Sequence, residues 1–279
     1  MTHDLAAIHT AAELIADADS LLVGAGAGMG VDSGLPDFRG TEGFWGAYPA
    51  LGRRGLKFHE VANPQTFETD PALAWGFYGH RLALYRKTRP HAGFDILRRW
   101  GEQKLQGCRV FTSNVDGHFQ RAGFNAAEVA ECHGSIHHLQ CSKPCSKATW
   151  PADDFLPETD DAACKLINAP PTCPWCGAIA RPNILMFGDA DWSEWRAREQ
   201  QTRLSRWLDG ARRLVVIELG AGTSIPSVRH FSHAALIDHE AVLIRINPRE
   251  PQVPRTRDTA IAGRALASLQ AIDHALRAQ

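Results

Sequence analysis

The 279-residue chain lacks the features of a membrane protein and of a polyanion binder. No apolar run reaches the roughly 18–20 residues that span a bilayer. Lys and Arg number 30 against 31 Asp and Glu, so the net charge is −1. Because phosphate affinity comes from a surplus of Lys and Arg, we expect no nucleic-acid partner. The first 19 residues contain no Lys or Arg and thus lack the basic start of a secretory or transit peptide, which favours a cytoplasmic protein with no membrane partner.

The number and distribution of the cysteines argue against a disulfide framework. The seven cysteines are an odd number in a chain without a secretion signal. Four of them form two close pairs, Cys141-x3-Cys145 and Cys173-x2-Cys176, which can place four thiolates around Zn²⁺. Four unrelated buried cysteines are the alternative, and Cys164 could replace one ligand. A site with four thiolates is closed to water, so this zinc would be structural.

The apolar pattern alternates between strands and helices. Leu5, Ile8, Ala12 and Ile15 recur at helical spacing, and further helices are predicted over 71–87, near 194–209 and over 258–277. Short apolar runs predict strands over 21–23, 109–112, 129–132, 183–187, 213–219 and 241–246. This alternation is typical of an α/β fold with a mainly parallel sheet that is covered on both faces.

A second, smaller unit is predicted from a change in composition. Residues 140–182 are rich in cysteine and proline and have few long apolar runs. We therefore predict a discontinuous large domain of residues 1–40, 86–138 and 183–279. The small domain would consist of a helical part, 41–85, and a zinc ribbon, 139–182.

Glycine-rich or polar turns follow most of the predicted strands. They are Gly24–Gly30, the TSNVDG segment at 112–117, the CHGS segment at 132–135, Gly222–Ser224 and the IN pair at 246–247. Ligands of open α/β sheets bind at the edge where the strands end. His133 could act there as a general base near neutral pH, with His137 and His138 as competitors. Each segment alone could also be a structural turn or a helix N-cap.

Taken together and in this order, these segments resemble the sirtuin family of NAD-dependent protein-lysine deacylases. The resemblance runs from about residue 20 to residue 250 and is most specific in the AGMGVDSGLPDFRG stretch at 27–40. Other matching segments are SNVDG at 113–117, HGS at 133–135, RPNILMFGD at 181–189, GTS at 222–224 and both cysteine pairs. The resemblance implies a Rossmann-like parallel sheet with a smaller zinc-binding domain inserted, and a cleft between them.

The resemblance also implies a role for each matching residue. His133 would be the catalytic base, with Asn114 and Asp116 as its catalytic partners. The residues that would bind NAD, the co-substrate, are Ala27, Gly28, Asp37, Phe38, Arg39, Ser113, Asn114, Asp116, Gly222, Thr223, Ser224 and Asn247. Met186, Phe187 and Gly188 would lie along the acyl-lysine peptide, which could add as a strand. Cys141, Cys145, Cys173 and Cys176 would hold structural Zn²⁺.

The implied reaction consumes NAD. The amide oxygen of the acyl-lysine attacks C1′ of the nicotinamide ribose, and nicotinamide leaves. His133 then takes a proton from a ribose hydroxyl, which attacks the bound imidate. The products would be free lysine, nicotinamide and an O-acyl-ADP-ribose.

Tyr78 and Arg81 resemble a pair found in sirtuins that accept succinyl- or malonyl-lysine. They are three positions apart in a predicted helix, so both side chains share one helix face. An arginine fork matches a carboxylate, and a tyrosine hydroxyl adds a donor. A surface arginine beside a core tyrosine is the alternative interpretation.

Three positions depart from the usual sirtuin pattern. Gly30 replaces Ser, Ser113 replaces Gln, and His118-Phe119 replaces Leu-His. A ribose contact of the missing Gln could pass to water or to His118. These departures leave two alternatives open: ADP-ribosyl transfer or NAD hydrolysis on the same fold, and a catalytically silent module that binds NAD or peptide.

Overall fold

A computed structural model describes residues 4–36 and 40–279, and its described part contains eleven strands. They are β1 Ser20–Ala25, β2 Cys108–Thr112, β3 Val129–Glu131, β4 Gly134–Cys141, β5 Thr149–Pro151, β6 Thr159–Asp160, β7 Lys165–Leu166, β8 Ala180–Ile184, β9 Leu214–Leu219, β10 Val242–Ile246 and β11 Thr259–Ile261. Six strands form one parallel sheet in the order β11-β10-β9-β1-β2-β3. The predicted α/β class is confirmed.

Twelve α-helices connect and cover these strands in the described part of the chain. They are α1 Leu5–Asp17, α2 Gly28–Val31, α3 Gly40–Ala47, α4 Pro49–Arg53, α5 Phe58–Val61, α6 Pro64–Thr69, α7 Pro71–Lys87, α8 Ala92–Glu102, α9 His118–Arg121, α10 Trp195–Leu208, α11 Ser227–Asp238 and α12 Ala265–Arg277. Over residues 4–36 and 40–279, no helix has the length and apolar composition needed to cross a membrane.

The parallel sheet is buried between two helical layers. Successive side chains of β1 point to opposite faces, so Leu21 and Val23 enter one core while Leu22 enters the other. Helices α1, α8 and α12 cover the first face, and α10 and α11 cover the second. All six residues of β1 are buried, as expected for a central parallel strand. Full burial of one such leucine stabilises the fold by about 1.5–3 kcal/mol.

A third core lies beneath a small antiparallel sheet of order β5-β4-β8. Aromatic residues of the short helices and of α7 dominate it, among them Phe44, Phe67, Trp75 and Phe77. Helix α7 is buried around most of its circumference, because β6 and β7 cover one side and α6 another. This burial explains the near absence of charged residues from its first ten positions.

Two sequence predictions of local structure are wrong. The strand expected at 183–187 is β8, Ala180–Ile184, and it pairs antiparallel with β4 instead of joining the parallel sheet. The closing helix expected over 258–277 begins only at Ala265, since residues 259–261 form edge strand β11 beside β10.

The expected domain boundaries after residues 138 and 182 fall inside β4 and β8. The division into two domains stays a prediction.

Candidate functional site

A cavity of about 680 Å³ opens where β1, β2, β3, β9 and β10 end. Its walls come from the turns after these strands, from α7, and from the segment after β8. Many of the predicted site residues line it: Ala27, Tyr78, Arg81, Ser113, Asn114, Asp116, His133, Met186, Phe187, Gly222, Thr223 and Ser224. The structure thus brings together residues that are nearly 200 positions apart in the sequence.

The turns after β1 and β9 cross in backbone contact. The N–H of Gly28 donates to the carbonyl oxygen of Gly220 at 3.1 Å. A Cβ atom on Gly28 would lie 2.7 Å from the Cα of Gly220, which has a φ of +59°. Larger residues would therefore force the two turns apart. Gly28 lies at the contact between the two turns and does not line the cavity, whereas its neighbour Ala27 does.

Asn114 and Asp116 are held rigidly in the turn after β2. The amide Nδ2 of Asn114 donates to the carbonyl oxygen of Gly26 at 3.0 Å. The carboxylate of Asp116 accepts from the backbone N–H of His118 at 2.9 Å. Burial raises the pKa of Asp116 to about 6, although the bond from His118 opposes this effect. Asp116 is therefore mostly ionised at pH 7 and faces the cavity as an acceptor.

His133 lies between the parallel sheet and the antiparallel sheet. Its carbonyl oxygen accepts from the N–H of Leu185 at 2.9 Å, and its Nε2 lies 3.1 Å from the Oγ of Ser227. Gly134 follows because a Cβ there would lie 2.0 Å from the carbonyl oxygen of Asn183. Burial lowers the pKa of His133, so the ring is neutral at pH 7 and able to accept a proton.

Hydrogen bonds fix the polar turn after β9, Gly222–Ser224, which lines the cavity. The Thr223 hydroxyl donates to Glu250 Oε1 at 2.8 Å. The buried guanidinium of Arg229 donates to the carbonyl oxygens of Ala221 and Glu250 at 3.0 and 2.8 Å. Asn247 is 1% exposed and does not line the cavity, but its Oδ1 accepts from the N–H of Glu250 at 3.0 Å. Asn247 therefore positions Glu250, which lines the cavity, without lining it itself.

Tyr78, Arg81 and Tyr85 of α7 also line the cavity. All three side chains are buried, with exposed fractions of 1%, 8% and 4%. Arg81 donates from Nε and Nη2 to the hydroxyl of Tyr85 at 3.0 and 2.7 Å. The guanidinium carbon also lies 5.3 Å from the centre of the Phe77 ring. The alternative of a surface arginine is therefore wrong.

The segment after β8 forms the rim of the cavity. Met186 is buried, whereas Leu185 and Phe187 are about 40% exposed. A buried ion pair holds the turn that follows, because Arg181 donates twice to the carboxylate of Asp189 at 2.7 Å. Gly188 has a φ of +67° and does not line the cavity.

The four predicted metal ligands meet in one cluster. The sulfur atoms of Cys141, Cys145, Cys173 and Cys176 all lie within 4.8 Å of one another, and two sulfur pairs are 3.6 Å apart. Tetrahedral Zn²⁺ with Zn–S bonds of about 2.3 Å spaces its sulfurs by about 3.8 Å, so the cluster fits this ion. Cys164 lies elsewhere, with its carbonyl group against Gly76 of α7.

Comparison with known proteins assigns the family. The sequence profile of the Sir2 family matches residues 26–208, about two thirds of the chain. The chain belongs to the Sir2 family. A Pyrobaculum aerophilum relative, NAD-dependent protein deacylase 2, is 31% identical over 257 residues and aligned over 91% of this chain and 90% of its own length. An Aeropyrum pernix relative, NAD-dependent protein deacylase, is 27% identical over 270 residues, with 97% and 98% coverage.

Solved Sir2 structures share the fold. The crystal structure of a Sir2 homologue in complex with NAD has a TM-score of 0.73 and 24% identity, and it covers 96% of this chain and 93% of its own. The resemblance drawn from the sequence is thus confirmed at the level of family, fold and enzyme class.

Several expectations for individual residues of this Sir2 chain need adjustment. His118 is fully buried and does not line the cavity, so it cannot replace the missing Gln at a ribose. Gly28, Gly188 and Asn247 support the walls without lining them. Asp37, Phe38 and Arg39 lie outside the described residues. Sequence reasoning missed Tyr85, Ser227 and Glu250, which no motif marks.

Proposed function

We propose that this Sir2 protein removes acyl groups from protein lysine with NAD as co-substrate, and that it releases nicotinamide and O-acyl-ADP-ribose. The observation that supports this most is the convergence of His133, Asn114, Asp116 and the Gly222–Ser224 turn on one cavity. A neutral base, a buried carboxylate and a polar turn at a strand edge are what an NAD-consuming acyl transfer requires. The names of the two curated relatives point to the same activity.

Each group has a chemical task in this proposal. Asn114, fixed by its bond to Gly26, positions the nicotinamide ribose, and Asp116 accepts from the carboxamide. The Gly222–Ser224 turn holds phosphate and the adenosine ribose. The bound peptide and NAD must together exclude water from the cavity, so that the weak amide nucleophile reaches C1′ before hydrolysis occurs. His133 then takes the proton of a ribose hydroxyl onto Nε2.

The rim segment is the proposed place of the peptide, but it constrains strand addition. The N–H groups of Leu185 and Phe187 already donate to the carbonyl oxygens of His133 and Ala62. The N–H of Met186 bonds to Asp189 at 3.3 Å. A peptide could therefore pair here chiefly through the carbonyl oxygens of this segment, with exposed Phe187 packing on it.

We assign Zn²⁺ to the four thiolates as a structural ion. No thiolate of this set is within the cavity lining, and a complete sulfur set leaves no open position. The ion would tie the loop after β4 to the turn before β8. It would thereby hold the antiparallel sheet on which the rim of the cavity depends.

The geometry further supports an acidic acyl group as substrate. Arg81 is a buried cation inside a largely apolar pocket, and Tyr85 holds its guanidinium by two hydrogen bonds. The carboxylate of a succinyl group in this pocket would accept from Arg81 and Tyr78. Such charge-assisted bonds in a desolvated site are roughly twice as strong as neutral ones.

A panel of acetyl-, propionyl-, malonyl- and succinyl-lysine peptides with NAD, followed by mass spectrometry, tests both parts. Absence of turnover for every peptide contradicts the activity, and turnover of acetyl peptide alone contradicts the acidic pocket. In Arg81→Met the succinyl-to-acetyl ratio of kcat/KM should fall on the order of 100-fold. Arg86→Met is the matched control on the same helix, because Arg86 bonds to backbone carbonyls of Ala152 and Phe155 outside the cavity.

One observation favours a second candidate, NAD hydrolysis or ADP-ribosyl transfer. A Cβ on Gly30 would lie 3.7 Å from Asp116 Oδ2, so the usual serine would stand beside this carboxylate. Its replacement by glycine removes a hydroxyl from beside the carboxylate proposed to hold nicotinamide. Release of nicotinamide from NAD without any acyl peptide would favour this candidate.

A further inference from the structure

The side chain of Ser227 contacts the proposed catalytic base. Its Oγ lies 3.1 Å from Nε2 of His133, across 94 positions of sequence. Ser227 is the first residue of α11 and is only partly exposed. No motif of the sequence marks this serine, and the bond arises only because α11 starts beside the turn after β3.

The tautomer of His133 determines whether Ser227 donates or accepts in this hydrogen bond. Burial lowers the pKa of the His133 ring, and the backbone of Ser113 opposes this effect, as a carbonyl acceptor beside the ring does. Nε2 faces Ser227, so Nδ1 is the nitrogen that remains for such an acceptor, and the ring proton is assigned to Nδ1 on this ground. Nε2 is then the acceptor, and the hydroxyl of Ser227 is the donor.

Ser227 is itself held in place. The buried Arg229, two positions further on, ties the start of α11 to the carbonyl oxygens of Ala221 and Glu250. The cavity-lining turn Gly222–Ser224 lies immediately before this helix. The same short segment therefore carries both the proposed phosphate turn and the hydroxyl that contacts the base.

We propose that Ser227 is a positioning residue for His133, an inference that rests on the proposed function. In the resting enzyme its hydroxyl holds the ring with the Nε2 lone pair available. The ribose hydroxyl then takes its place as donor: the ribose O–H bond breaks, the proton forms a bond with Nε2, and the ribose oxygen attacks the imidate carbon. The Ser227 oxygen can next accept from the new Nε2–H, so it stabilises the imidazolium as well.

The two-step reaction gives a selective test. Exchange of labelled nicotinamide into NAD reports the first step, which needs no base, and O-acyl-ADP-ribose formation reports the second. In Ser227→Ala the ratio of product formation to exchange should fall about tenfold, with KM for NAD changed less than twofold, because one hydrogen bond to the base is lost. Ser227→Thr retains the hydroxyl and should restore most of the ratio.

Ser232→Ala is the matched control, since it removes a hydroxyl from the same helix. Ser232 is fully buried, and within the described part of the chain its Oγ has no hydrogen-bond partner. An unchanged or increased ratio in Ser227→Ala overturns the inference, and so does a loss of equal size in Ser232→Ala. Equal loss of exchange and product would show a general structural role and would also overturn it.

A spectroscopic readout separates this inference from the proposed function. Two-bond ¹⁵N–¹H correlation spectra of labelled histidine distinguish the two imidazole tautomers. We expect the Nδ1–H form in both proteins, because the backbone of Ser113 is unchanged, and a shifted Nε2 resonance in Ser227→Ala, because Nε2 loses the hydrogen bond from the Ser227 hydroxyl. Identical spectra would refute the positioning role. A wild type without exchange or product would refute the proposed function alone, because the spectra still decide the role of Ser227.

Discussion

Replacing His118 with leucine should stabilise the protein. His118 is fully buried at the start of α9, and within the described part of the chain neither ring nitrogen makes a well-formed hydrogen bond, although the backbone of Thr88 lies near the ring. Its ring packs edge-on against Phe94, with centroids 5.8 Å apart. A buried polar group without a partner costs about 1–3 kcal/mol, and leucine of similar volume removes that cost. We therefore expect His118→Leu to raise the free energy of unfolding at pH 7 by about 1–2 kcal/mol.

The effect should grow as the pH falls. Burial, aided by Arg121, His91 and His137 and opposed by the backbone of Thr88, lowers the pKa of His118 from 6.5 to about 4. Between these values the unfolded chain binds a proton that the folded chain does not bind. The wild-type protein therefore loses free energy of unfolding as the pH falls from 6.5 toward 4. The loss that comes from His118 reaches about 3 kcal/mol in total. At pH 5.5 the advantage of leucine should exceed its advantage at pH 7 by about 1 kcal/mol.

Urea unfolding at pH 7 and pH 5.5, followed by tryptophan fluorescence, measures both effects. His9→Leu on the exposed face of α1 is the control, with an expected change within about 0.5 kcal/mol. Equal or lower stability of His118→Leu at pH 7 would refute the assignment of an unsatisfied ring. Parallel pH dependences of the variant and the wild type would refute the assigned pKa shift.

Three further predictions concern other parts of the molecule. Purified protein should contain one Zn²⁺ per chain by plasma mass spectrometry, and Cys145→Ser should lose the metal and lower Tm by several degrees. Gly134→Ala places a Cβ 2.0 Å from the carbonyl oxygen of Asn183, so it should abolish soluble expression or lower Tm strongly. Gly30→Ser should place a donor beside Asp116, lower its pKa from about 6 and shift the acid limb of the pH–kcat/KM profile to lower pH.

Local signals in the sequence were sufficient for the elements that carry them. The helix predicted over 71–87 is α7, because Asp70 caps its N-terminus and Pro71 occupies the first turn. The apolar runs of the central strands identify a buried parallel sheet in the same way. By contrast, β11 has three residues and exists only because β10 offers it hydrogen-bond partners. The apolar residues of such a short strand cannot be distinguished in the sequence from the helical pattern that follows them over 265–277.

The candidate site follows the same division. Residues in turns after strands could be predicted, since the topology brings all such turns to one edge. Tyr85 and Ser227 could not, because their importance comes from contacts with Arg81 and His133 that depend on how the elements pack. The structure also corrects the expected role of His118, which the sequence places in a motif but the fold places in the core.

One departure from the usual sirtuin pattern, Gly30, lies beside the carboxylate of Asp116. The N–H of His118 donates to one oxygen of Asp116, and a side chain at Gly30 would approach the other at 3.7 Å. Ser113 lines the same cavity. The base His133 and the pocket around Arg81 are not altered by these substitutions. The change at Gly30 therefore acts on the carboxylate proposed to hold nicotinamide, so this chain should differ from sirtuins with the usual serine in the rate of nicotinamide release more than in the proton transfer that follows.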